Sequence, residues 1–105
     1  MKFYKDLYVG ESIHDPEKVK ESLINNVLQF SVFVIAVSSS DDQLDIFDSK
    51  LLLLRFYEKE GLLIVGLAGS RDEAIRLVIS MTEMVVHKTG GADIKSFLLT
   101  ADAEG

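Results

Sequence analysis

The chain has no cysteine, and one proline in 105 residues. Without cysteine there is no disulfide framework, no thiolate zinc or iron–sulfur site and no thiol nucleophile. Small secreted domains often need disulfides, so a reducing cytoplasm is the expected compartment. A single proline leaves no proline-rich linker, and no repeat or low-complexity tract divides the chain. Long hydrophobic runs are missing too. The longest, Val32 to Val37 and Leu62 to Ala68, have six and seven residues, whereas a membrane helix needs about 20. The opening Met1-Lys2-Phe3-Tyr4-Lys5-Asp6 is charged and leads into no apolar stretch, so no signal peptide is expected. Positive charge is scarce: 11 basic against 17 acidic side chains, net −6, with the basic ones scattered. Phosphate neutralisation dominates binding to nucleic acid and anionic membranes, so neither is an expected partner.

What is present is an ordinary globular balance, 48% apolar and 27% charged. A single domain over residues 1–105 is expected. A chain of this length buries roughly 65% of its unfolded surface, enough for one core.

Phe3 to Val9 reads as a strand closed by Gly10. Asp15-Pro16 reads as a helix start, the carboxylate capping free N–H groups and the proline fitting the first helical position. Val19, Leu23 and Val27, with Ile24 and Leu28, then recur at helical spacing, and Asn25-Asn26 weakens the end. Ser31 to Val37 is β-branched and aromatic throughout, a strand buried on both faces and central in its sheet. Ser38 to Gln43 is a polar loop, and Leu44 to Phe47 reads as a short strand. Leu51 to Tyr57 is ambiguous. As a helix it is capped by Ser49 and closed by Gly61; as a strand its leucines alternate. Leucine propensity tips the reading towards helix. Leu62 to Ala68 is a second buried strand. Ser70-Arg71-Asp72-Glu73 matches a capping box, in which Ser70 takes the Glu73 N–H and Glu73 returns to the Ser70 N–H. Ala74, Ile75, Leu77, Val78, Met81, Met84 and Val85 are expected to face inward on that helix. His87 and Lys88 suit its last turn, and Gly90 its stop. Ile94 to Leu99 reads as a closing strand, with Ala101 to Gly105 a polar tail.

This element order predicts the α+β class, as a two-layer α/β sandwich with split βαβ, ferredoxin-like order and an insertion before the third main strand. The alternative is a mixed sheet with a helical crossover at 49–60.

Four groups of residues carry chemistry worth weighing. Gly66, Gly69, Ser70 and Arg71 lie at a strand-to-helix turn, where free N–H groups and a guanidinium suit a phosphate or carboxylate. Neither a phosphate loop nor a dinucleotide fingerprint is complete there, and a plain turn with a capping box accounts for the same residues. Asp41, Asp42, Asp45 and Asp48 are clustered carboxylates, but they lack calcium-loop spacing and read as a solvated acidic face. His14 and His87 want a third metal ligand and read as surface histidines. The phenylalanines and Met81 and Met84 read as core filling. No catalytic residue, metal or cofactor is expected. Apart from these stands the run Leu51, Leu52, Leu53, Leu54, Phe56 and Tyr57. Its apolar surface on more than one side reads as deep core or as a subunit contact.

Phe3-Tyr4, Leu7-Tyr8 and Glu11-Ser12, then Ile64-Val65-Gly66-Leu67-Ala68 with Asp72-Glu73-Ala74, then Thr89-Gly90-Gly91 and Phe97 carry a resemblance across most of the chain. It resembles a group of short bacterial α/β proteins of no assigned activity. The resemblance implies a small cytoplasmic protein and transfers no functional residue.

The functional expectation is a non-enzymatic binding or interaction module acting as a homo-oligomer, a dimer. The alternative is a small enzyme or sensor taking an anionic metabolite at the 66–71 turn.

Overall fold

The computed structural model describes residues 1–27, 31–37, 43–53 and 61–104, except for the side chains of Leu53, Ala103 and Glu104. Among the described residues the chain is an α+β domain with a four-stranded mixed sheet and four helices. The order is β1 (Lys2–Val9), α1 (Pro16–Ile24), β2 (Phe33–Val37), β3 (Leu44–Asp48), α2 (Lys50–Leu53), β4 (Leu63–Ala68), α3 (Arg71–Thr89) and α4 (Ile94–Glu104).

The sheet order is β1-β4-β2-β3. β1 runs parallel to β4, while β2 is antiparallel to both β4 and β3. The inner strands are the two with continuous apolar runs. All six residues of β4 are buried, as are Val34, Ile35 and Ala36 of β2. A strand flanked by neighbours and covered on both faces has no position where a polar side chain reaches water. β3 lies on the sheet edge, and Leu44, Ile46 and Phe47 pack inward from it.

Two apolar clusters lie on opposite faces of this sheet. On one, Tyr4, Ile35, Leu63 and Val65 meet Ala74, Met81 and Val85 of α3 and Ile94 and Leu98 of α4. The sheet with these two helices forms a two-layer α/β sandwich. On the other face, Val34, Ala36, Phe47, Ile64 and Leu67 meet Leu23 of α1 and Leu52 of α2, with Phe3, Leu7 and Val19 alongside. β4 changes its facing at Gly66: Leu63 and Val65 face α3, and two residues after Val65 it is Leu67 that faces α1. A register irregularity against β2 accompanies the change. Glycine is needed there because a Cβ would lie 2.8 Å from Ile35 Cδ1.

The helix starts follow the sequence. Asp15 accepts from the Lys18 N–H at 3.1 Å, with Pro16 in the first turn. Ser70 Oγ accepts from the Glu73 N–H at 3.1 Å, and Gly90 ends α3 at φ +76°. α1 stops at Asn25, and Asn26 turns the chain at φ +58°. Val27 therefore lies beyond the helix and is exposed with Ile24.

Three expectations need correction. The segment from Ile94 is a helix, not a closing strand, and it runs through the residues expected as a tail. Asp93 accepts from the backbone N–H of Ser96 at 3.1 Å and from its hydroxyl at 2.9 Å. Ile94, Phe97, Leu98 and Ala101 then face the core at helical spacing. Ile75 is 41% exposed rather than inward. α2 does begin after Ser49, but the Ser49 hydroxyl does not cap it: that oxygen is buried, with no hydrogen-bond partner among the described residues. Asp48 accepts from the Lys50 N–H instead, and the Ser49 carbonyl from Leu52.

Candidate functional site

The parallel strands β1 and β4 have their carboxyl ends at one end of the sheet, where the two segments part. β1 leads to α1 on one face and β4 leads to α3 on the other. In open α/β sheets such a divergence at the carboxyl ends of neighbouring strands opens a crevice suited to ligands. Here the crevice is closed by the protein's own carboxylate. Glu73, in the first turn of α3, accepts from the Gly69 N–H at 2.7 Å, the Ser12 hydroxyl at 2.7 Å and the Ser12 N–H at 3.3 Å. Gly10 is anchored beside it, its N–H donating to the Leu67 carbonyl at 2.9 Å. Gly10 and Gly69 leave the room this needs: a methyl on Gly10 would overlap the Glu73 carboxylate, and one on Gly69 the Ser12 hydroxyl. The capping box is thus half formed. The hydroxyl half is present, and the carboxylate reaches past Ser70 to Gly69 and across to the β1–α1 loop.

This environment holds the Glu73 carboxyl below the usual Glu range. The Gly69 N–H contributes most, followed by the Ser12 hydroxyl. Hydrogen bonds to the ionised form favour it, as does the positive end of α3.

Of the residues expected to bind an anion, Gly66 lies inside β4 rather than at the turn. The Gly69 N–H donates to Glu73, and Ser70 Oγ accepts from the helix. The Arg71 guanidinium lies 5.9 Å from the centre of the Phe33 ring, a cation–π arrangement. The structure gathers these groups at one end of the sheet, with an internal anion already among them.

The remaining candidates separate. Asp45 and Asp48 are three apart on β3, so their side chains emerge on opposite faces; Asp41 and Asp42 lie outside the described residues. His14 precedes α1 and His87 ends α3, helices on opposite faces of the sheet. Among the described residues no three His, Asp or Glu side chains are grouped to hold a metal ion. Leu52 is 4% exposed and belongs to the cluster under the sheet, with half-buried Leu51 beside it. The Leu53 side chain and Leu54, Phe56 and Tyr57 lie outside the described residues. Among those described, no helix is long and apolar enough to cross a membrane.

One feature was missed in the sequence reading because the α3 stripe was read too wide. Ile75, Ile79 and Val86 are 41%, 51% and 44% exposed. They follow one another at spacings of four and seven, so they lie along one side of α3 as an apolar strip that Thr82 interrupts. No family model, no curated protein and no solved structure matches the chain.

Proposed function

We propose that the protein is a non-enzymatic interaction module that works as a homo-oligomer, a dimer, in the cytoplasm. The observation that carries this reading is the strip Ile75, Ile79 and Val86 on the longest helix. Single exposed apolar side chains are ordinary, but a strip two turns or more in length is what a contact between chains covers. The burial of Leu52 in the core favours α3 over the described part of the leucine run as the contact surface. The absence of cysteine supports the compartment.

A small anionic metabolite at the 66–71 turn is the weaker reading. A ligand there would have to displace Glu73 from the Gly69 N–H, and the displaced carboxylate would remain as a repelling neighbour.

Light scattering across a dilution series tests the dimer. The expected result is twice the chain mass at micromolar concentration, falling to the chain mass in Ile79→Asp, with the variant's circular dichroism spectrum unchanged. A monomeric wild type at that concentration overturns the reading.

A further inference from the structure

The apolar strip is bordered along one side by a row of charged and polar side chains, and their order identifies what covers it. Asp72, Arg76, Ser80, Glu83 and His87 follow one another at spacings of four, four, three and four. They lie side by side on the exposed flank of α3 next to Ile79 and Val86. Among the described residues Arg76 and Glu83 form no ion pair, and neither do Asp72 and His87.

The row reads acidic, basic, neutral, acidic, then imidazole. Reversed, it opposes itself. Arg76 and Glu83 are centred between Ile79 and Ser80, and Asp72 and His87 share that centre. An antiparallel copy of the helix, related by a two-fold axis at that point, sets Arg76 opposite the partner's Glu83 and Asp72 opposite the partner's His87. Each contact occurs twice, as an isologous interface requires. A parallel copy puts the two rows on opposite sides of the seam, where they do not meet.

The apolar strip obeys the same centre. With the axis there, Ile75 falls between the partner's Thr82 and the partner's Val86, which stand one turn apart, and Ile79 falls opposite its own copy. Side chains entering gaps between residues four apart are how helix surfaces pack. A charge row lying beside an apolar seam sets partner choice and orientation, as at the flanking positions of a coiled coil.

From this arrangement we infer that the partner is a second copy of this chain, docked through α3 against α3 in antiparallel orientation, with Arg76 and Glu83 of the two copies paired across the two-fold axis. The inference rests on the dimer reading above and adds its surface, its orientation and its specificity.

Sedimentation equilibrium of the full chain tests it with a charge reversal. Arg76→Glu and Glu83→Arg each place two like-charge contacts in the interface, so each weakens dimerisation at least about tenfold. The double variant restores both pairs in swapped form and returns the dissociation constant to near the wild-type value. All these positions are exposed; because Arg76 also favours the ionised Glu73, cooperative thermal unfolding of the separated chains, rather than an unchanged midpoint, shows that folding is intact. A second measurement uses the chain's lack of cysteine. Ile79→Cys puts a lone thiol beside the axis, and mild oxidation joins the two copies through it, while Thr100→Cys on α4 does not cross-link at the same rate. A wild-type dimer indifferent to both single reversals overturns this inference and leaves the dimer reading standing. So does a double variant no tighter than the singles, or an Ile79→Cys chain that cross-links no faster than Thr100→Cys. A monomeric wild type overturns both.

Discussion

Glu73 joins two loops, through Ser12, which precedes it by 61 residues, and through Gly69. An ionised carboxylate accepting several hydrogen bonds is worth more than a neutral acceptor in the same place. Its folded-state ionisation lies below the ordinary Glu value of 4.5. The stabilisation is therefore fully present above that value and is lost as pH falls through the lowered one. Glu73→Gln is expected to lower stability by about 1–2 kcal/mol near neutral pH, since an amide cannot accept at both positions. The difference from wild type should shrink on acidification below 4.5. Urea unfolding of both proteins at neutral and at strongly acidic pH measures it; an undiminished difference in acid would exclude the carboxylate's charge as the cause. In sequence, Ser70 and Glu73 announced a capping box and delivered half of it. Nothing local to Glu73 pointed to Ser12, because that contact exists only when β1 and β4 lie side by side.

At the scale of the element, α4 shows how a weak propensity reading fails. Ile94 and Phe97 favour strands while Leu98 and Leu99 favour helix, and the segment is too short for the period to stand out. The deciding signal was Asp93 three residues before Ser96, a helix-start pattern visible in the sequence. Asp93→Ala should lower stability, because the N–H of Ser96 loses its cap. Leu98→Ala, at a fully buried position, should cost about 2–5 kcal/mol. Chemical denaturation of both variants measures this, and a neutral Asp93→Ala would count against the cap. α4 is also held at its far end, where Lys2 of β1 pairs with Asp102 at 2.6 Å. α1, β2, β4 and α3 were legible for the opposite reason. Each has a cap, a periodic stripe or an unbroken apolar run that local chemistry explains unaided. Ile75 was misplaced because a stripe of seven apolar residues on α3 is wider than the sheet beneath it covers.

Across the whole molecule, the mixed sheet sets where stability concentrates. β4 has neighbours on both sides and apolar cover on both faces, so its backbone hydrogen bonds open only with the whole domain. Among the described residues β3 bonds to β2 alone and lies on an edge. Amide hydrogen exchange followed by mass spectrometry or NMR should therefore show β4 slowest, at the global unfolding limit, and β3 faster. Equal protection in the two strands would contradict that ordering.

The amino-acid sequence by itself determined the class of the domain, its two inner strands, its main helix boundaries and the exclusion of thiol chemistry. These depend on side-chain type and on spacing within a few residues. Only the tertiary structure decided that the last segment is a helix, that Gly66 yields space to Ile35, that Glu73 closes the crevice between β1 and β4, and that one flank of α3 stays uncovered. Each of these depends on which surfaces meet across tens of residues. The lack of cysteine excluded a class of chemistry at the first reading; what the folded chain leaves open is an apolar strip whose bordering charges match their own reverse.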